Sequence, residues 1–214
     1  NFYVRRGYAM AIATIRGARG SGGFFGNIEP DPQTIKDLAE AIAWLGTRPW
    51  STGKVGRNGV SYFSKVAKRV AALKPPHLGA IFSPYGFTDG YRDLLYRGGI
   101  LAPDFTEYWA RRQAPFFTIE NSLRKKWGDE KYNAAVKAAM ADPEIMSNPL
   151  LATALRAPDS GGNPMLVEIL LNPLCNEYWT ERAVNFEAGC EVPAYLGADW
   201  GMFGLHLPGD VRAY

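Results

Sequence analysis

The segment Lys54-Val55-Gly56-Arg57-Asn58-Gly59-Val60-Ser61-Tyr62-Phe63-Ser64 decides the fold. It reads as a strand running into a tight turn around Ser61, and the question it raises is whether that serine is a nucleophile or an ordinary turn residue. A nucleophile displayed on a strand-to-helix turn is written G-x-S-x-G, because such a turn crowds its own backbone on either side of the serine. Gly59 fills the first glycine position and Phe63 stands at the second. Phe63 fits the turn only if its side chain points away from the sheet. On the motif alone, both readings of Ser61 stay open.

Outward from this segment the chain alternates. Tyr8 to Ile15, YAMAIATI, is a short apolar run of the kind a buried parallel strand shows. It ends in Arg16-Gly17-Ala18-Arg19-Gly20-Ser21-Gly22-Gly23, which lacks the spacing and closing Lys-Ser/Thr of a phosphate loop. These glycines are read as letting the backbone turn sharply beside the sheet edge. Asp31 then caps a helix with Pro32 at its first position, and Ile35, Leu38, Ala39, Ile42 and Leu45 recur at helical spacing up to Gly46. Lys54-Val55-Gly56 is a very short strand, Lys65 to Leu73 a helix stopped by Pro75-Pro76, and Leu78 to Phe82 a further strand. This alternation predicts an α/β fold, with a parallel sheet and crossover helices.

From Thr88 to Glu187 the character changes. Aromatic residues are dense, helical stretches such as Asp104–Arg112 and Asp129–Ala141 appear, and apolar strand runs are absent. The reading is an inserted helical cap over 88–187, between a first part of the core (1–87) and its return (188–214). The cap aromatics form chiefly its own small core, with Tyr91 and Trp179 the candidates for lining a substrate pocket. Val192 to Asp199 returns to strand character and ends in a carboxylate, where a parallel sheet places a functional acid. Leu207-Pro208-Gly209 reads as a turn. The chain begins close to an apparent core strand and stops within an apparent helix, so truncation at both ends is expected.

Bulk properties narrow the partners. With 47% apolar residues among 214, a substantial core forms and disorder is excluded. The net charge of +3 comes from 24 basic and 21 acidic residues in short clusters, too dispersed for a nucleic-acid surface. No apolar run approaches the roughly 18 residues that span a bilayer. Cys175 and Cys190 form no C-x-x-C pair and have no histidine at metal spacing, so two free thiols are favoured over a disulfide between them, with no metal or other cofactor expected. The expected partner is a small-molecule or peptide substrate, with neither nucleic acid nor membrane. Homo-oligomerisation is left open, and so is the compartment, with the cytoplasm favoured.

If Ser61 is a nucleophile it needs a histidine base, a carboxylate to orient that histidine, and donors for the oxyanion. The backbone N–H of Tyr62 points where an oxyanion would form, and Asp199 stands where the acid should be. His77 precedes a strand and reads as structural. His206, seven residues past Asp199, is on the right side in chain order but too close to lie on the next strand's loop. It is read as exposed or pocket-lining, with the base expected beyond Tyr214.

The chain resembles the cocaine-esterase-like and X-prolyl dipeptidyl peptidase hydrolases. The resemblance rests on Gly7-Tyr8-Ala9 into Arg16-Gly17, on Pro49-Trp50-Ser51-Thr52-Gly53-Lys54-Val55-Gly56, and on Gly59-Val60-Ser61-Tyr62. Pro75-Pro76-His77-Leu78, Tyr91-Arg92-Asp93, Glu177-Tyr178-Trp179 and Val192-Pro193 extend it. It implies an α/β-hydrolase core with a helical cap, a serine nucleophile at Ser61, an oxyanion donor at Tyr62 N–H and an Asp–His pair. It also implies a second donor, a tyrosine hydroxyl, upstream of Asn1, and a histidine after Tyr214. The family pattern Gly-Gly-Trp-Tyr-Asp aligns Gly201 with the acid and leaves Asp199 two residues early. The expected activity is ester or amide cleavage, of acyl or dipeptidyl type, through an acyl-enzyme, with this piece inactive alone. The alternative is a catalytically dead hydrolase-fold binding protein. A dinucleotide-binding domain rests only on the glycines at 17–23, whose spacing argues against it.

Overall fold

Three parallel strands form the sheet: β1 (Val55–Asn58), β2 (Leu78–Pro84) and a late strand, β5 (Ala194–Gly197). Their order is β1-β2-β5, with Gly56 opposite Ala80 and Ile81 opposite Ala194. The computed structural model describes residues 2–201 and 204–214. Helix α1 (Pro32–Gly46) precedes β1, and α2 (Tyr62–Ala72) links β1 to β2. Asp31 caps α1 as its sequence predicts, its Oδ1 accepting from the N–H groups of Gln33 (2.9 Å) and Thr34 (3.0 Å). Ile35, Leu38 and Ile42 of α1 close with Val66, Ala67 and Val70 of α2 over Leu78 and Ile81 of β2. Each fully buried Val or Ile contributes about 1.5–3 kcal/mol.

Every residue of α2 from Ser64 to Ala71 is buried, including three cations. Lys65 pairs with Glu29 in the loop before α1, and Lys68 pairs with Asp210 near the C-terminus. Arg69 donates to the carbonyl oxygens of Pro30 and, at 2.9 Å, of Glu181. A buried ion of this kind is tolerated only when its partner is in place.

The strand expected over Tyr8–Ile15 is not formed. The segment has no strand partner among the described residues, and Tyr8 and Ile12 are 65% and 85% exposed. β1 pairs with β2 along one edge only, so nothing sandwiches this run as a central parallel strand must be. The glycine-rich turn after it is anchored instead to cap residues 116–119, through Thr118 N–H to Gly17 O and Phe25 N–H to Thr118 O (both 2.8 Å). Gly17 has φ 71°, and a Cβ there would lie 2.7 Å from Phe24 Cα.

Residues 88–187 carry a two-residue hairpin, β3 (Tyr96–Arg97) with β4 (Ile100–Leu101), and helices α3 (Pro103–Gln113), α4 (Ser122–Trp127), α5 (Asp129–Met140), α6 (Pro143–Ser147), α7 (Pro149–Arg156), α8 (Asn163–Leu170) and α9 (Glu177–Thr180). The hairpin is a small departure from the strand-free expectation. Two apolar clusters hold these elements, one on Tyr132, Leu155 and Val167, the other on Leu95, Tyr96 and Trp179. After β5 comes α10 (Leu207–Ala213), the helix expected at the end of the sequence, which also takes up the Leu207-Pro208-Gly209 segment read as a turn; Pro208 sits in its first turn, where its missing N–H costs nothing. No helix among the described residues is long and apolar enough to cross a membrane.

Candidate active site

Ser61 sits between β1 and α2 with φ 59° and ψ −118°, outside the left-handed basin and of a kind that costs about 1–3 kcal/mol. Such strain persists only where the surroundings over-determine it. Here Ser61 N–H donates to Tyr85 O (3.1 Å), and Ser61 O accepts from the N–H groups of Ser64 (3.0 Å) and Lys65 (3.1 Å). Gly59 is required by the turn: a Cβ there would lie 2.5 Å from the carbonyl carbon of Phe63 and nearer still to its oxygen. Phe63 is 52% exposed, so its ring points outward and the second glycine is dispensable.

The Ser61 side chain makes no cap to its own helix; Oγ lies 3.0 Å from His206 Nε2. His206, expected as exposed or pocket-lining, is buried, at 4% exposure, at the start of α10. The structure thus brings a histidine of this chain to Ser61, whereas the sequence placed the base beyond Tyr214. Burial pushes the His206 imidazole below its ordinary value; Asp210 raises it, Lys68 lowers it, and Asp199 raises it. The ring is therefore neutral near pH 7, with Nε2 able to accept the serine proton. That assigns its own hydrogen to Nδ1, which is buried without a hydrogen-bond partner.

Asp199 does not supply that partner. It lies in the turn after β5, and its Oδ1 accepts from Gly201 N–H at 2.9 Å, a local bond that draws the carboxylate back onto its own loop. Gly201, which the resemblance aligns with the acid, has no side chain to offer. Tyr62 N–H donates to no described residue, while the N–H groups of its neighbours Ser61, Phe63, Ser64 and Lys65 are all paired. It is thus free at the N-terminus of α2, where the helix dipole favours negative charge.

The two pocket candidates from the cap sit elsewhere. Trp179 is 1% exposed, its Nε1 donating to Asn172 O (2.9 Å) and its ring edge-on to Tyr91, Tyr96 and Tyr178. It is a core residue with no surface for a ligand. Tyr91 stacks on Tyr96 at 4.9 Å and donates its hydroxyl to Pro173 O at 2.8 Å. Neither is brought to Ser61. The missed residue, His206, carried one signal: a histidine directly before Leu-Pro, a helix-start pattern that was read as a turn.

The elbow, the parallel sheet and the helical insertion together match known proteins. The profile of the X-Pro dipeptidyl-peptidase (S15) family covers residues 1–201. The chain belongs to the S15 family. Among curated relatives, Mycobacterium bovis "Putative serine esterase Mb1866c" is 33% identical over 111 residues, 51% of this chain and 17% of the relative. A Streptococcus pneumoniae Xaa-Pro dipeptidyl-peptidase is 25% identical over 167 residues, 60% of this chain and 22% of the relative. This S15 chain therefore spans about a fifth of the length of these relatives. A CocE/NonD family hydrolase from Staphylococcus aureus superposes with a TM-score of 0.64 at 25% identity, over 94% of this chain and 29% of that one. The α/β-hydrolase fold and the S15 resemblance read from the sequence are those of these proteins.

Proposed function

We propose that this S15 chain carries the acyl-transfer centre of a serine hydrolase acting on an ester or amide. The observation that supports it most is the 3.0 Å approach of His206 Nε2 to the Oγ of a strained, elbow-mounted Ser61. In this reading Ser61 Oγ attacks the substrate carbonyl carbon while His206 Nε2 takes its proton. The oxyanion forms against Tyr62 N–H and the N-terminus of α2. Collapse expels the alcohol or amine, which takes the proton back from His206 and leaves an acyl-Ser61 ester. Water, deprotonated by His206, then attacks that ester, and the collapse releases the acid while Ser61 Oγ takes the proton back from His206. Asp199 acts on the imidazolium by its field rather than by a hydrogen bond. Tyr62 N–H is a single donor, so slow turnover is expected, and covalent labelling is the sharper readout.

One observation favours a second reading, a hydrolase fold that binds without turning over: His206 Nδ1 has no acceptor to orient it. Fluorophosphonate labelling of the chain, with the adduct mapped by mass spectrometry, separates the two. An adduct on Ser61, lost in Ser61→Ala, supports the enzyme. A folded protein that takes no adduct refutes it.

A further inference from the structure

The machinery that brings His206 to Ser61 is itself built from buried charge. We propose that Asp210, clasped between Lys68 and the Gly86 amide, is the positioning residue that holds His206 against Ser61. The inference rests on the reading of Ser61 and His206 given above.

Asp210 lies one turn after His206, and its N–H donates to His206 O at 3.0 Å. Its carboxylate is 5% exposed and divides between α2, which starts beside the nucleophile, and the loop after β2. Oδ2 accepts from Gly86 N–H at 2.9 Å, and Oδ1 pairs with Lys68 Nζ on α2, the helix that begins at the elbow. The preceding residue, Tyr85, gives its carbonyl to Ser61 N–H. Successive residues of one loop therefore fix the nucleophile and the helix of the base. The fit leaves no slack. A Cβ on Gly86 would collide with Lys68 Nζ and Ser64 Oγ, and one on Gly209 would lie 2.6 Å from Phe87 Cα. Lys68 Nζ is braced by Ser64 Oγ at 3.3 Å. Farther along α10, Arg212 pairs with Asp93, which accepts from the N–H groups of Thr88 (2.9 Å) and Asp89 (3.0 Å).

The same groups set the field at the imidazole. Facing His206 are Asp210 on its own helix, Lys68 on α2, Asp199 on the loop after β5, and the Tyr85 ring at 6.3 Å. Asp210 and Lys68 oppose each other there. Removing one leaves the other uncompensated, so the two substitutions act on His206 in opposite directions. An anchor that was only mechanical would not do this.

The chain has two histidines, so both rings can be followed by NMR titration. Asp210→Asn should lower the His206 midpoint by about one pH unit, Lys68→Met should raise it, and the double variant should fall between, with His77 unmoved in all three. Asp210→Asn should also slow labelling of Ser61 by about tenfold or more at pH 7.5, because a displacement near 1 Å suffices for such losses. Arg212→Lys is the control: a mechanical loosening of α10 slows labelling without moving the midpoint. A His206 midpoint that stays put in both single variants, or moves the same way in both, overturns the proposal. If Asp210→Asn does not fold, Lys68→Met alone decides, since Asp210 keeps its Gly86 bond there. Opposed shifts of His206 in a protein that takes no label would sustain the clasp and remove the hydrolase reading instead.

Discussion

Gly59→Ala tests whether the elbow is as tight as its geometry says. A Cβ at this position meets the carbonyl carbon of Phe63 at 2.5 Å and its Cβ at 2.6 Å, where ordinary contact begins at 3.4 Å. The neighbours are main-chain atoms and the root of a side chain, so no rotamer change relieves the overlap. The turn must open by roughly 1 Å, and overpacking of this kind costs about 1–3 kcal/mol. The opening occurs between β1 and Ser61, so it moves Oγ relative to His206 as well. A shift of that size costs about 100-fold in a positioned reaction. Urea unfolding should show a lower midpoint at unchanged slope, and fluorophosphonate labelling of the folded fraction should slow by about two orders of magnitude. Gly79→Ala is the matched control on β2, where the nearest atom, Lys54 Cβ, is 3.5 Å away. If Gly59→Ala labels within twofold of the parent and unfolds at the same urea concentration, the elbow described here is wrong.

His206→Gln should slow labelling of Ser61 by about 10²–10⁴-fold while leaving the circular dichroism spectrum intact. The pH dependence has a definite sign. Burial lowers the folded-state value of His206 below the ordinary 6.5, so the unfolded chain binds the extra proton first. This contribution to stability is full above about pH 6.5 and is lost as pH falls from there through the lower folded-state value, and the acid limb of the labelling profile should lie below about pH 6.5. Lys65→Met leaves Glu29 buried without its ion partner and should cost about 3–5 kcal/mol in urea unfolding at pH 7; adding Glu29→Gln should recover most of it. Trp179→Ala should lower stability by about 3–5 kcal/mol and leave the labelling rate of the folded protein within a few-fold. A loss of labelling without a loss of stability would return Trp179 to the pocket.

The parts of this fold that local chemistry determines were legible in the sequence. Asp31-Pro32 announces α1 because one side chain caps and one ring preorganises the same turn. Gly59 and Ser61 announce the elbow because the backbone there has few alternatives. The Tyr8–Ile15 run misled because an apolar run becomes a buried strand only when neighbours cover it on both sides, and its own residues do not say whether they do. The burial of Trp179 was not legible for a related reason: an aromatic cluster that closes on itself has the composition of one that opens to a ligand. His206 was hidden by distance along the chain. Seven residues past Asp199 read as too few to reach the nucleophile, yet the ring at the start of α10 lies 3.0 Å from Ser61 Oγ. Its burial depends on Asp210, Lys68 and Gly86, residues whose meeting no local pattern records.

The continuous burial of α2 has a consequence for how the molecule opens. Its three cations reach the loop before α1, the end of the cap and the C-terminal helix, the first of these more than a hundred residues from the other two in the chain. Fraying of α2 leaves Glu29 and Asp210 without their cations and the carbonyl oxygens of Pro30 and Glu181 without their donor, so none of the three segments detaches cheaply while the others remain. Amide hydrogens from Ser64 to Ala71 then exchange only when the whole structure lets go, and the helix that begins at the nucleophile is the last cooperative unit to dissolve.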